Sequence, residues 1–190
     1  MSEALEAALA EHVEVSRSLA ALLPEVDETA ARLLDVFAGG GRLYSFGNGG
    51  SSTEAQHLAE ELVGRFLRER RPLPAQSLSS DAAAITCIAN DFAFEDVFAR
   101  QVEAFARPGD AVIGFTTSGD SENVIRGLEQ ARRIGAVTVL LAGEDGGRAR
   151  PHADHALLVP SRNAARIQEL HVLLMHMLLD RIDSWAAGEE

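Results

Sequence analysis

Two segments of the sequence carry His, Glu and Gln side chains at helical spacing. In the first, His57 and Glu61 lie four residues apart and therefore share one face of a helix. A His and a carboxylate at this spacing can hold one metal ion, work as an acid–base pair, or form an ordinary surface ion pair. Spacing alone favours the ion pair, which is the most common of the three.

The second segment places Gln168 and His176 about two turns apart, on one side of a helix. Residues 172–179 are almost wholly apolar, so we expect this stretch to be buried, and a buried imidazole needs a partner. His176 is then a satisfied core histidine, a metal ligand or a general acid. With His57 and Glu61, these side chains offer four N and O donors, a set that zinc accepts if the two helices meet.

Two loops rich in glycine and hydroxyl groups each follow an apolar strand and precede a helix. They read GNGGSS at 47–52 and TTSGDS at 116–121. Capping by Ser51 or Ser52, or by Ser118 or Ser121, would explain either loop alone. Neither loop is a Walker A motif or GxGxxG. Together they predict a phosphate held by hydroxyl groups and helix N-termini.

Short apolar strands alternate with helices along most of the chain, which predicts βαβ units, a mainly parallel sheet and one domain over residues 1–190. We expect Pro24 to end the first helix. The two N-terminal helices, within 1–38, precede the alternation, and we expect them to pack against a partner subunit rather than their own sheet. The predicted strands are 42–46, 75–78, 110–116, 137–142 and 156–159, and the predicted helices are 3–22, 27–37, 53–68, 81–90, 92–105, 124–134 and 163–187.

The composition excludes several classes of protein. The 190 residues include 17 Lys and Arg against 29 Asp and Glu, a net charge of −12 that disfavours binding to nucleic acid or an anionic membrane. The lone cysteine, Cys87, excludes an intramolecular disulfide and a cysteine zinc site, and we expect it in the core. No apolar run approaches the roughly 20 residues of a membrane span, and the acidic N-terminus does not resemble a signal peptide. We therefore expect a soluble, cytoplasmic protein.

Taken together, the motifs resemble the phosphoheptose isomerases of the sugar isomerase (SIS) domain family. The resemblance implies a flavodoxin-like three-layer α/β sandwich with a central five-stranded parallel sheet, and a homotetramer with active sites shared between subunits. It also implies conversion of D-sedoheptulose 7-phosphate to D-glycero-D-manno-heptose 7-phosphate through an enediol, the first step of activated heptose biosynthesis. The segments that carry it are GNGGS at 47–51, AQHLAEELVGRF at 55–66, RRPLPA at 70–75, AND at 89–91, TTSGDS at 116–121, GEDGG at 143–147 and ARIQELHVLLMH at 165–176.

The same resemblance assigns roles to individual residues. It implies that Glu61 is the catalytic base and His176 the catalytic acid. One zinc ion per subunit would be held by His57, Glu61, Gln168 and His176. Apart from the resemblance, the position of Arg65 one turn after Glu61 lets it either reach a phosphate or pair with an acidic neighbour. The substrate contacts are expected from Asn48, Gly49, Gly50, Ser51, Glu61, Arg65, Asn90, Asp91, Thr116, Thr117, Ser118, Ser121 and Gln168.

The chain departs from the isomerase pattern at two positions, and two other functions stay open. Ala165 stands where the pattern has an acidic residue, and Thr116 replaces a Ser but keeps the hydroxyl. Alanine at the position of Ala165 also occurs in a related branch of the SIS family that binds the replication initiator. One alternative is therefore a non-catalytic SIS-domain tetramer acting as a regulator or scaffold. Such a protein has no need of Glu61 and His176. The other alternative is an isomerase for a different phosphosugar, which a substrate panel would separate.

Overall fold

The computed structural model describes residues 2–189, in which seven α-helices accompany five β-strands and three short 3-10 helices. The first two α-helices precede the sheet, and the remaining helices connect or follow its strands. The elements are α1 (Glu3–Ser18), a 3-10 helix (Leu19–Leu22), α2 (Leu23–Ala38), β1 (Leu43–Gly47), α3 (Gly50–Val63), β2 (Ala75–Ser77), α4 (Ala82–Asp91), a 3-10 helix (Phe94–Asp96), α5 (Val97–Phe105), β3 (Ala111–Phe115), α6 (Glu122–Ile134), β4 (Val137–Gly143), a 3-10 helix (Gly147–His152), β5 (His155–Val159) and α7 (Ala164–Ala187).

The five strands form one parallel sheet in the order β2-β1-β3-β4-β5. Every residue of β1, β3 and β4 is buried, as expected for strands covered by helices on both faces. One core layer packs α2, α3 and α7 against the sheet, and the other packs α5 and α6 against the opposite face. The expected three-layer α/β fold with a five-stranded parallel sheet is therefore confirmed.

Three predicted helices begin or end at other residues in the structure. Pro24 does not leave a gap after the first helix; it lies in the first turn of α2, where its missing N–H is not needed. The helix expected over 53–68 begins at Gly50 and ends at Val63, because the chain turns away at Gly64. The helix expected over 92–105 begins only at Val97, after a 3-10 turn.

The two N-terminal helices differ in where their apolar faces lie. The apolar face of α2, including Leu33 and Phe37, is buried in the same core layer as α7. No residue of α1 is buried, and Leu5 and Leu9 are 67% and 65% exposed. Packing against a partner subunit thus stays a prediction for α1, whereas α2 is covered largely by its own domain.

Cys87 is exposed, so its expected place in the core was wrong. The partly buried face of α4 consists of Ile85, Ile88 and Ala89, and Cys87 lies on the opposite side of that helix. A hydrogen bond to Asp91 raises the pKa of its thiol. Among the helices of residues 2–189, none has both the length and the apolar character needed to cross a bilayer.

Candidate active site

The first glycine-rich loop joins β1 to α3 in a tight turn. Gly49 occupies the N-cap position with φ of +55°, a conformation that glycine adopts without steric cost. A Cβ on Gly50 would lie 2.2 Å from Nε2 of Gln168, so glycine at this position lets α7 approach the loop. Ser51 is buried in the first turn of α3, and Ser52 donates its hydroxyl to the Gly49 carbonyl. Neither serine occupies the N-cap position, so the capping interpretation of this loop was wrong.

The second loop joins β3 to α6, and two of its hydroxyl groups shape the loop itself. Thr116 Oγ1 accepts a hydrogen bond from the Gly119 N–H at 3.2 Å, and Ser118 Oγ accepts one from the Asp120 N–H at 3.2 Å. Ser121 occupies the N-cap position of α6, yet within the described residues its hydroxyl makes no capping hydrogen bond. The Ser121 hydroxyl is therefore available to a ligand at this helix N-terminus.

The two loops meet because β1 and β3 are neighbours in the sheet and both end at the same edge. Between them lies a cavity of about 110 Å³. This volume is far below the roughly 300–1,000 Å³ of a typical small-molecule site, so it suits one phosphate group rather than a whole sugar phosphate. The N-termini of α3 and α6 both open towards it, which favours an anion. Its lining residues are Asn48, Ser51, Phe115, Thr116, Thr117, Ser121 and Gln168.

A His–Glu cluster forms where α3 crosses α7. His57 Nε2 lies 3.3 Å from Glu61 Oε1, and the rings of His57 and His176 are edge-to-face with centroids 5.2 Å apart. One ligand atom from each of His57, Glu61 and His176 lies within 4.8 Å of the others. The two helices that spacing could not relate therefore do meet, and they bring three of the four expected zinc ligands together.

His176 has an unusual environment within this cluster. Its Nε2 is buried and has no hydrogen-bond partner among the described residues. Burial lowers the pKa of this imidazole, and the nearby His57 lowers it further, while Glu61 partly opposes both. The imidazole is therefore neutral near pH 7, the form that binds a metal ion or exchanges a proton with an oxygen atom. An unpartnered buried nitrogen beside a carboxylate and a second imidazole fits a zinc site.

Gln168 connects the cluster with the small cavity, whereas other expected contacts lie apart. Gln168 lines the cavity two turns before His176 on α7. Ser118 lines an adjoining depression of about 330 Å³ instead. Asn90 and Asp91 are exposed at the end of α4 and do not line the small cavity, and Arg65 is exposed just beyond α3. Within one subunit, the structure therefore does not bring Asn90, Asp91 and Arg65 into this cavity.

Some polar residues that organise the site were missed from the sequence. Asn123, on α6, is 3% exposed and pairs with Asn48 through two hydrogen bonds of 2.8 Å. Arg70 donates to the carbonyl of Glu61 at 2.7 Å and thereby holds the last turn of α3. The segment RRPLPA contained Arg70 and the segment after TTSGDS contained Asn123, but nothing in either indicated its partner.

A buried polar pair lies one turn from the cluster and was also missed. Glu54 on α3 and His171 on α7 approach to 3.4 Å, with side chains 6% and 0% exposed. Glu54 is three residues before His57, and His171 is three residues after Gln168. The pair therefore joins the two helices that carry the expected ligands. Its sequence signal was a second His, beside His176, in a largely apolar helix, and this does not identify a partner.

Comparison with known proteins identifies the family of this chain. A family model of the SIS domain matches residues 10–143. The chain is 44% identical over 184 residues to a phosphoheptose isomerase of Aquifex aeolicus, with 96% of each chain covered.

Solved structures extend the comparison to three dimensions. A phosphoheptose isomerase structure from Neisseria gonorrhoeae is 36% identical with a TM-score of 0.90, covering 96% of this chain and 98% of that one. One from Francisella tularensis is 35% identical with a TM-score of 0.93, covering 97% of this chain and all of that one (100%). The chain therefore belongs to the phosphoheptose isomerases, the aldose–ketose isomerases of the SIS-domain family.

Proposed function

We propose that this protein converts D-sedoheptulose 7-phosphate to D-glycero-D-manno-heptose 7-phosphate, the first step of activated heptose biosynthesis. The observation that carries the proposal is the cluster of His57, Glu61 and His176 beside a hydroxyl-lined cavity at two helix N-termini. The cavity takes the phosphate, and the cluster meets the reacting end of the sugar. Because the phosphate and the reacting carbons are at opposite ends of the substrate, phosphate binding serves to position the carbonyl.

The reaction moves one proton from C1 to C2 of the ketose through an enediol. Glu61 removes a C1 proton, the C–H electron pair forms the C1=C2 double bond, and His176 supplies a proton to the O2 oxygen. The O1 proton then leaves to His176, and Glu61 returns its proton to C2, which yields the aldehyde. Glu61 suits this role because its side chain is only 17% exposed and faces His57, so bulk water has little access to it.

A zinc ion is the cofactor that this donor set would hold. The ligands would be His57, Glu61, Gln168 and His176, of which the first, second and fourth already lie together. Bound there, zinc would polarise the substrate carbonyl as a Lewis acid. A carboxylate that ligates zinc is a weaker base, so the metal dependence of turnover bears directly on the role of Glu61.

The active unit is proposed to be a homotetramer with shared active sites. Two observations support it: the apolar face of α1 with Leu5 and Leu9 is exposed, and Asn90 and Asp91 lie outside the cavity of their own subunit. In a tetramer, these two residues would complete a neighbour's site. Light scattering after size exclusion gives the mass of the assembly. The proposed location is the cytoplasm, which the single cysteine favours because it cannot form an intramolecular disulfide.

The experiment follows the anomeric proton region by NMR after addition of D-sedoheptulose 7-phosphate, with chelator and with added zinc. An aldoheptose phosphate doublet is expected with the native protein and absent with Glu61→Gln, because the amide cannot accept a carbon-bound proton. Glu103→Gln is the control: it makes the same change on an exposed residue of α5, outside the His57, Glu61 and His176 cluster, and should leave turnover intact. Binding of the sugar phosphate without product under every metal condition would favour a non-catalytic regulator or scaffold. Product formed only from another sugar phosphate would favour an isomerase for that sugar.

A further inference from the structure

A reciprocal amide pair joins the two loops that form the small cavity. Asn48 Nδ2 donates to Asn123 Oδ1, and Asn123 Nδ2 donates to Asn48 Oδ1, both at 2.8 Å. Asn48 belongs to the loop after β1 and lines the cavity, whereas Asn123 lies in the first turn of α6 and is 3% exposed. Residues 75 positions apart in the chain thus hold the N-termini of α3 and α6 together.

The chemistry of a primary amide explains what the pair can do. Each amide has two N–H donors and one carbonyl oxygen. The reciprocal pair uses one N–H and the oxygen of each residue, so the plane of the Asn48 amide is fixed while its second N–H remains for a ligand. A fixed donor costs less conformational entropy on binding than a freely rotating one. Asn123, being buried and outside the cavity lining, influences a ligand only through Asn48.

We propose that Asn123 is a positioning residue for phosphorylated substrate. It orients the Asn48 amide so that its second N–H donates to the substrate, and it sets the separation of the two helix N-termini at the cavity. This inference rests on the proposed function, because it assigns Asn123 to the ligand site of that reaction. It predicts that Asn123 governs substrate binding more than the chemical step.

A double-mutant cycle tests the dependence of Asn123 on Asn48. Asn123→Ala should raise KM for D-sedoheptulose 7-phosphate by about tenfold, the scale of one hydrogen bond to a charged ligand, while kcat stays within about threefold. Asn48→Ala should raise KM by at least as much. The double variant should be no worse than Asn48→Ala, because Asn123 has no separate route to the substrate. The proposal would be overturned if the KM increases of the two single variants multiply in the double variant, or if Asn123→Ala has an unchanged KM.

Gln101→Ala is the matched control for simple loss of stability. Gln101 is also a buried amide with two hydrogen bonds, to the carbonyls of Leu78 and Val97, and it does not line the cavity. It should lower the melting temperature as much as Asn123→Ala yet leave KM unchanged. If Asn123→Ala fails to fold, Asn123→Asp keeps the size and accepts from Asn48 but cannot donate to it. Because this variant loses the hydrogen bond from residue 123 to Asn48 Oδ1, its KM should rise by about tenfold, and a native KM would overturn the proposal.

A binding measurement separates this inference from the proposed function. If the native protein turns over no heptose phosphate, the same cycle is measured as the Kd of inorganic phosphate by isothermal titration calorimetry. If Asn123→Ala has a higher Kd than the native protein, and the double variant has no higher Kd than Asn48→Ala, the positioning role is supported even when the reaction assignment fails. A native Kd in Asn123→Ala, or native protein that binds no phosphate, refutes the positioning role.

Discussion

Replacing Asp183 with Asn tests the anchor of the segment that follows α3. The carboxylate of Asp183, on α7, is 1% exposed and accepts hydrogen bonds from the backbone N–H groups of Leu67 (3.0 Å) and Arg68 (2.7 Å). Its other oxygen accepts from Nε of Arg70 at 2.9 Å. Because Arg70 in turn donates to the carbonyl of Glu61, Asp183 also supports the end of α3 that carries the proposed base.

The expected loss follows from the geometry of the amide. Asn has one acceptor oxygen, so it can serve either the two backbone N–H groups or Arg70, and its NH₂ group then faces donors on the other side. Removing one partner of a buried ion pair costs about 3–5 kcal/mol, since the other charge stays buried. One kcal/mol shifts the melting temperature of a domain of this size by about 2–4 °C. Asp183→Asn should therefore lower the melting temperature by roughly 6–20 °C.

Thermal unfolding at pH 7, followed by circular dichroism, measures this change. Asp180→Asn is the control, because Asp180 is half exposed and pairs with Arg68 at 2.8 Å on the surface. An exposed pair contributes about 0.2–1 kcal/mol, so this variant should melt within about 4 °C of the native protein. If Asp183→Asn melts no lower than Asp180→Asn, the assigned role of the buried anchor is refuted.

The pH dependence gives an independent check on the same residue. Burial by itself would raise the pKa of Asp183, but the hydrogen bonds from the Arg68 N–H, the Arg70 side chain and the Leu67 N–H lower the pKa below its ordinary value of 3.8. Because the folded-state pKa is below the unfolded one, the contribution of Asp183 is full above about pH 4 and is lost as pH falls through the folded-state pKa. The difference in melting temperature between the native protein and Asp183→Asn should therefore become smaller as the pH falls below about 4.

Three further substitutions test the site. His176→Ala should lower kcat by about 100-fold or more in an NMR turnover assay, as expected for a lost acid–base group, and turnover within tenfold of native would contradict its role. Gly50→Ala should weaken substrate binding and the proposed zinc binding, because the new Cβ would lie 2.2 Å from Nε2 of Gln168 and displace it. Unchanged KM and metal content would show that the position of Gln168 does not matter for either ligand. Ser121→Ala should raise KM severalfold with little change in kcat, because this hydroxyl lines the cavity and makes no capping hydrogen bond among the described residues, and an unchanged KM would place the phosphate away from it.

Local patterns in the sequence were sufficient for most of the fold. The strands and the loops at 47–52 and 116–121 were predicted because apolar alternation and glycine content depend on neighbouring residues alone. The errors in the helix boundaries arose where one residue type is compatible with more than one local structure. Pro24 was assigned to a helix end although it also suits a helix start, and α3 was extended past Gly64 although the chain leaves the helix there.

The placement of Cys87 required knowledge of tertiary packing. Its helix, α4, is apolar enough to suggest a core helix, but only the side with Ile85 and Ile88 packs on the domain. Which side faces inward depends on the neighbouring helices, and hydrophobicity along one helix does not specify it when apolar residues lie all around.

The sequence by itself determined which chemistry was available: a His and a Glu one turn apart, a Gln and a His two turns apart, and two hydroxyl-rich loops after strands. Only the tertiary structure decided that these groups meet. The order β2-β1-β3-β4-β5 places β1 beside β3 and so joins the loops, and the packing of α3 on α7 brings His57 to His176. The pairing of Asn48 with Asn123 has the same origin, because contacts between residues far apart in the chain depend on how whole elements pack and leave no periodic signal in either segment.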